Sequence, residues 1–340
     1  MKKDRVEVLR YGYLDKVNLL FTSVGRRVSL VQAFKKTLAD LKITGSIITA
    51  DYQKNAPASF VADFHEQVPR VQTPNYINCL QKICEKYQIK LLIPLIDTEL
   101  FFLSLHQDSF EAMGIKLLVS SPQTNEICCD KRKTYTFFKS IGVQTPEIFN
   151  PAKILTDSQA QYPFLIKPAN GSCSLGVTKV KNAKELNFFK DYIPNAIVQE
   201  FVVGEEYTLD ILADFQGQVK SVVPRLRIET RAGEISKGIT VKNQAIIAAG
   251  KKVVEALPGA VGCLTVQCFL LPNGELKFIE INPRFGGGVP LSIKAGADFP
   301  RWIIEMMLGR EPEIEIDGWQ DGVVMLRYDD AIFVTKEMIQ

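Results

Sequence analysis

Leu264-Thr265-Val266-Gln267-Cys268-Phe269-Leu270-Leu271-Pro272-Asn273-Gly274-Glu275-Leu276-Lys277-Phe278-Ile279-Glu280-Ile281-Asn282 places two apolar runs around Pro272-Asn273-Gly274-Glu275. Asn-Gly in a two-residue loop is the leading short-range signal for a β-hairpin, because both positions must take positive φ. With Asn273 and Gly274 as the turn, Pro272 pairs with Glu275. Counting back sets Gln267 directly opposite Glu280. Strand side chains alternate with period two, so Glu280 and Asn282 share one face, and Ile279 and Ile281 point the other way, into the core. Gln267, Glu280 and Asn282 then cluster on one face of an otherwise apolar hairpin. An oxygen-rich cluster of this kind suits Mg²⁺, which keeps waters and shares its shell with substrate phosphates. A solvated sheet face is the alternative, and the adjacent Arg284 and Gly286-Gly287-Gly288 weigh against it. A bulge in either strand would break the count.

Upstream, Phe164-Leu-Ile-Lys167-Pro168-Ala-Asn-Gly171-Ser172-Cys-Ser174-Leu-Gly176 is a buried strand that delivers a lysine into a Gly/Ser loop. Small residues let backbone N–H groups approach an anion, and lysine adds a point charge. A plain turn between two strands reads equally well. The loop is not a Walker A loop, because no GxxxxGK[ST] occurs.

The first 120 residues alternate short apolar runs with helical periodicity. The runs are 17–22, 46–50, 91–96 and 115–119, and one helix carries Val31, Phe34, Leu38 and Leu41. That pattern predicts βαβ units and an open parallel α/β sheet. Polar loops follow the runs at Arg26, at Asp51 and at Asp97-Thr98-Glu99. Ligands bind outside the carboxyl ends of such strands, although Asp97 and Thr98 also read as helix caps. Arg26-Arg27 fits a helix surface or an anion site. Leu100-Phe101-Phe102-Leu103 reads as core. Beyond Pro122 a helix at 130–141 ends at Gly142. Strands interrupted by helices near 183–191 and 244–257 then predict an α+β region. Alternation puts Arg225, Arg227, Glu229 and Arg231 on one face, either solvated or gripping a carboxylate.

Composition excludes several classes. Of 340 residues, 41 are basic and 38 acidic, mixed along the chain, which argues against a nucleic-acid footprint or a polybasic membrane anchor. No apolar run reaches the length of a membrane span, and the charged N-terminus lacks an apolar signal core. Seven cysteines without paired spacing read as reduced thiols of a cytoplasmic protein. Two histidines, neither in ligand spacing, disfavour His-based catalysis or a His-bound zinc. No GxGxxG follows the first strand, so a dinucleotide-dependent dehydrogenase is disfavoured.

In this order, the segments resemble the ATP-grasp superfamily over nearly the whole chain. Ile279-Glu280-Ile281-Asn282-Pro283-Arg284 is closest in form to one half of the large chain of carbamoyl phosphate synthase. The resemblance implies an N-terminal Rossmann-like domain (1–122), a small lid subdomain (123–192) and a C-terminal subdomain with the metal site (193–340). It implies ATP and Mg²⁺, or Mn²⁺ in its place, with Glu280, Asn282 and Gln267 as metal ligands. Lys131 and Lys167 would hold phosphates, and Gly171, Ser172, Ser174 and Gly176 would form the loop over them. Glu200, Phe201 and Val202 would read adenine. Glu206 would bind the ribose hydroxyls, with Glu205 as the alternative one residue away. Arg284 would contact the transferred phosphate. Arg26, Asp97, Thr98, Glu99, Arg225 and Arg227 are candidates for the substrate.

The implied activity is an ADP-forming ligase that makes an acyl phosphate from a small carboxylate and passes it to an amine or similar nucleophile. A kinase-like enzyme and a non-catalytic ATP-binding module are the alternatives. A second copy of the chain is the expected protein partner; nucleic acid and membrane are not expected. The chain has length and motifs for one half of the synthase and no glutaminase domain, so carbamoyl phosphate itself is not the expected product.

Overall fold

A computed structural model describes residues 16–171 and 176–339, and it contains three sheets. The first is five-stranded and parallel, in the order β3-β2-β1-β4-β5. Its strands are β1 (Asn18–Thr22), β2 (Ile47–Asp51), β3 (Phe64–Gln67), β4 (Ile89–Pro94) and β5 (Lys116–Leu117). Parallel strands covered on both faces read as continuous apolar runs, and β1 and β2 are buried throughout. The order reverses between β1 and β4, so a crevice opens at their carboxyl ends. Arg27 follows β1 and Asp97 follows β4.

The second sheet is antiparallel, in the order β6-β9-β7-β8. It comprises β6 (Ile148–Phe149), β7 (Phe164–Pro168), β8 (Thr178–Val180) and β9 (Ala196–Glu200). Beside it the helix Lys131–Ser140 is capped by the Asp130 carboxylate, which accepts from Arg132 N. Ile154, Ile166, Leu186 and Val198 form a small core under this sheet.

The third sheet is six-stranded, in the order β14-β13-β10-β11-β12-β15. It comprises β10 (Glu205–Ala213), β11 (Val219–Arg231), β12 (Glu234–Thr240), β13 (Gly262–Leu270), β14 (Leu276–Asn282) and β15 (Val324–Leu326), and every pairing is antiparallel. The helix Gln244–Glu255 covers one face of it. Gly250 lies so close that a Cβ there would meet Leu209 Cδ2 at 2.4 Å. One hydrophobic core joins this face to Phe21, Phe34 and Leu38 of the first unit. The parallel α/β sheet followed by antiparallel α+β sheets is the fold class expected.

Local expectations fared unevenly. Leu100 and Leu103 are buried, but Phe101 and Phe102 are 36% and 40% exposed. Four consecutive residues cannot all face inward on a helix, where only positions three or four apart share a face. The six cysteines among the described residues are free. No helix among the described residues is long and apolar enough to cross a membrane.

Candidate functional site

The hairpin β13–β14 pairs Gln267 with Glu280 and Thr265 with Asn282. Its turn differs from the expected one. Leu271 N donates to Glu275 O at 2.9 Å, so the loop has three residues, Pro272-Asn273-Gly274, with Gly274 at φ +84°. That geometry calls for a residue in the left-handed region at its last position. The register slips by one and is restored by a bulge at Ile279. Ile281 is buried in the core as expected. Ile279 is not, because the bulge turns it into a cavity wall.

The polar face of the large sheet is a grid in register. One row across the strands reads Glu280, Gln267, Thr208, Arg225 and Thr240. The next row includes Asn282, Thr265 and Asp210. On the other side lie Phe269 and Glu206. Two cavities sit on this face and share Glu206, Gln267 and Glu280 as a common rim.

The first cavity, about 260 Å³, lies between the second and third sheets. Lys131, Lys167, Gly171, Glu200, Phe201 and Val202 all line it. Lys167 is 7% exposed. Its ammonium has no hydrogen-bond partner among the described residues. Burial lowers its pKa to about 8, against the pull of Glu280, while Lys131 adds to the lowering. A buried cation without a partner is costly, and an anion in the cavity would supply one. Lys131 Nζ donates to Gly171 O at 2.8 Å, tying the helix Lys131–Ser140 to the glycine loop. Gly171 takes φ +124°, a conformation open mainly to glycine. Ser172 and Ser174 lie outside the described residues. Gly176 is exposed and packs on Pro168 rather than lining the cavity. Lys179 lies 3.9 Å over the Phe201 ring.

Glu200 is committed elsewhere than expected. Lys277 Nζ donates to its carboxylate at 2.5 Å, and Glu147 N donates at 3.2 Å. The side chain therefore braces the second sheet against the third. Strand alternation separates Glu206 from Glu205: Glu206 faces the cavities, whereas Glu205 is exposed and accepts from Tyr207 Oη. Burial raises the Glu206 pKa, and Arg227 Nε, 3.2 Å away, pulls it down.

The second cavity, about 440 Å³, opens between the third sheet and the crevice of the first. Asp97, Thr98, Arg225, Arg227 and Arg284 line it, together with Arg27 and Glu234. Arg284 Nη2 donates to Asp97 Oδ2 at 2.9 Å, joining the two units across the cavity. Arg27 Nη1 donates to Glu234 at 2.9 Å. Arg26, the expected neighbour, is exposed and lines neither cavity; it sits in the turn before the helix Val28–Asp40, whereas Arg27 stands at the N-cap of that helix and lines the second cavity. Glu99 is also misplaced as a ligand. It is fully buried, accepts from Tyr76 Oη at 2.6 Å and from Leu95 N at 3.1 Å, and holds the start of the helix Asp97–Ser104. Asp51 likewise accepts from Gly25 N and Gln53 N and braces its own loop.

The charged strand splits in two. Arg225 is 1% exposed and Arg227 is largely covered, both over the cavity. Glu229 and Arg231 leave the face after register shifts and pair with Lys237 and Asp329 at the surface.

Glu280 makes no hydrogen bond or ion pair with the described residues and faces both cavities, with Gln267 in register beside it and Asn282 two residues on. Among the described residues no group of three His, Cys, Asp or Glu could hold a metal. One carboxylate with two amide oxygens fits a hard cation that takes the rest of its shell from phosphate and water.

Residues 19–118 match the PylC-like N-terminal domain family, and residues 128–288 match the ATP-grasp domain family. The chain is 28% identical over 200 residues to the vancomycin/teicoplanin A-type resistance protein VanA of Enterococcus faecium. That match spans 52% of this chain and 58% of the relative, so the chain covers little more than half of that protein's length. It is 28% identical over 229 residues to the D-alanine–D-alanine ligase of Thermotoga petrophila, covering 59% of this chain and 73% of the relative. In fold it resembles the biotin carboxylase of Campylobacter jejuni, with a TM-score of 0.70 at 15% identity over 88% of this chain and 72% of that one. The chain thus carries an ATP-grasp domain behind a PylC-like N-terminal domain.

Proposed function

We propose that this protein is an ADP-forming ligase that uses Mg-ATP to activate a small carboxylate for attack by an amine. The observation that carries the proposal is the common rim. Glu206, Gln267 and Glu280 stand between a cavity with a buried lysine that has no partner among the described residues and a cavity lined with arginines. A phosphate donor in the first and an acid in the second would meet at Glu280. The relative named as a D-alanine–D-alanine ligase supports the reaction class.

Bound Mg-ATP supplies the phosphoryl group that converts the carboxylate into an acyl phosphate. The chain's own residues position and neutralise, which is most of what phosphoryl transfer asks of a protein. Lys131 and Lys167 hold the phosphates. Gln267, Glu280 and Asn282 hold the cation, which Mn²⁺ could replace. Glu206 takes the ribose, and the backbone at Phe201 and Val202 takes the adenine. Arg284, which lines the second cavity beside Glu280, would neutralise charge on the transferred group. The boundaries 1–122, 123–192 and 193–340 would separate the crevice unit, the lid and the metal-bearing sheet.

The test is ADP release by the purified chain with Mg-ATP, small carboxylates and amines. ADP formation that requires both substrates, with a condensed product, is the expected result. ADP with a stable phosphorylated product and no amine requirement would instead mean a kinase. Nucleotide binding without turnover on any pair would mean a binding module.

A further inference from the structure

Arg227 holds two parts of the molecule at once. It stands on β11 beside Glu206, one pair beyond Tyr207 and Leu226, and its side chain is 9% exposed. Its Nη2 donates to Gly233 O at 2.9 Å and its Nη1 to Thr208 Oγ1 at 3.3 Å. Its Nε lies 3.2 Å from Glu206 Oε1, an ion pair without the angle of a hydrogen bond. Arg225, two residues earlier, differs. Its Nε donates to Asp210 Oδ2 at 2.7 Å and its Nη2 to Oδ1 at 2.9 Å. That bidentate pair fixes Arg225 within the sheet, whereas Arg227 divides its donors among three residues.

Gly233 belongs to the turn of the β11–β12 hairpin. There Ala232 and Gly233 take φ +51° and +77°, and Arg231 pairs with Glu234. Six residues of extended strand span about 20 Å, more than an arginine side chain bridges. Two register shifts, at Arg227/Glu229 and Glu229/Thr230, bend the hairpin back on itself. Ile235 leans with it: a Cβ on Gly238 would meet Ile235 Cδ1 at 2.2 Å. The curled tip makes Thr230, Gly233, Glu234 and Ile235 part of the wall of the second cavity.

Three arginines hold this tip. Arg27 Nη1 donates to Glu234 Oε1 at 2.9 Å, and Arg327 Nη1 donates to Glu234 Oε2 at 3.2 Å and to Ile235 O at 3.1 Å. Their pairs with Glu234 are partly exposed, of the kind that contributes little. Arg227 is the covered one, and of the three it alone touches Glu206, which lines both cavities. The Glu206 side chain keeps 30% of its surface open, and its Oε2 makes no hydrogen bond or ion pair with the described residues. Hydroxyls donating there would fix the carboxylate that Arg227 faces. Charge-assisted bonds in series strengthen one another. Glu206, Arg227 and Gly233 thus form a chain from the first cavity to the tip beside the second.

We propose that Arg227 is a positioning residue that passes nucleotide occupancy at Glu206 to the hairpin tip, residues 230–235, which tightens against the second cavity when a ribose is bound. The proposal rests on the Mg-ATP reading above, in which Glu206 takes the ribose.

Amide hydrogen exchange of the full chain tests it, read on peptides covering 228–237 with and without saturating Mg²⁺ and a non-hydrolysable ATP analogue. The analogue should slow exchange at the tip by about tenfold or more. Its 2′,3′-dideoxy form, also at saturation, should leave the tip at the rate of the free chain, because it has no hydroxyl for Glu206. In Arg227→Met the tip should exchange at one rate with and without the saturating analogue. A merely structural arginine would instead speed exchange in both states and leave their ratio unchanged. If Arg227→Met fails to fold, the dideoxy comparison on the native chain decides. The proposal is overturned if the bound analogue leaves the tip unchanged, if the dideoxy form protects it equally, or if Arg227→Met keeps the native ratio. In each of those cases nucleotide binds and the Mg-ATP reading stands. Calorimetry that shows no binding of the analogue would overturn the Mg-ATP reading, and this proposal with it.

Discussion

Gln267 stands directly opposite Glu280 because two departures from the simplest hairpin cancel. The loop takes Pro272 as a third residue, and Ile279 bulges out to restore the register. Deleting Ile279 should therefore heal the bulge and keep Glu280 opposite Gln267, since Phe278 already pairs with Cys268. Glu280→Gln removes the charge and leaves the register alone. Glu280→Gln should lose Mg-dependent ADP release by about a hundredfold or more and melt like the parent, whereas the Ile279 deletion should retain turnover. Turnover that survives Glu280→Gln would remove this residue from the cation site.

Lys167 should set an upper pH limit on nucleotide affinity. Its ammonium, held near 8 by burial, is the form that meets phosphate. The dissociation constant for Mg²⁺ and a non-hydrolysable ATP analogue should be flat below pH 8. Above it, the constant should rise by about tenfold per pH unit, until the raised pKa of the bound state is reached. Lys167→Arg should abolish that rise, because a guanidinium does not titrate there. Calorimetry from pH 6.5 to 9.5 measures both.

Gly288→Ala should disturb the second cavity from outside it. The added methyl meets Arg225 Nη1 and Ile235 Cγ2, at 2.2 and 2.5 Å. Overpacking of this kind costs about 1–3 kcal/mol. Urea unfolding should report that loss, and turnover should fall while nucleotide affinity is retained.

Tyr76→Phe should destabilise the first unit without touching either cavity. Glu99 is wholly buried and receives the Tyr76 hydroxyl, so losing that donor costs about 1–3 kcal/mol. Burial holds the Glu99 carboxyl above its ordinary range. Its contribution is therefore complete below the unfolded value and is lost as pH rises through the raised folded one. The deficit of Tyr76→Phe in urea should widen over that interval.

The legible parts of this molecule were those written locally. Apolar runs ending in polar loops gave the parallel sheet, and the same loops gave Asp97. Arg27 was lost to Arg26 because both precede the helix Val28–Asp40, in a loop where no helical or strand period says which side chain turns inward. Glu99 did carry a signal, as the third residue of a helix whose side chain folds back on the preceding backbone. Asp210 is a single acid in an apolar strand, with no motif around it. Its partner, Arg225, is fixed by the pairing of β10 with β11, and the spacing of charges along one strand does not encode that pairing. Likewise the bulges in β11 and β14 answer to neighbouring strands, so alternation carried the arginine stripe two residues too far.

The row Glu280–Gln267–Thr208–Arg225 has a metric consequence. Hydrogen-bonded strands keep a nearly fixed spacing of ~4.8 Å, so three steps set the Cα atoms of Glu280 and Arg225 about 14 Å apart. That interval is a gauge cut into the backbone. Side-chain changes along the cavity can alter what is gripped at each mark, but they leave the distance between the marks untouched.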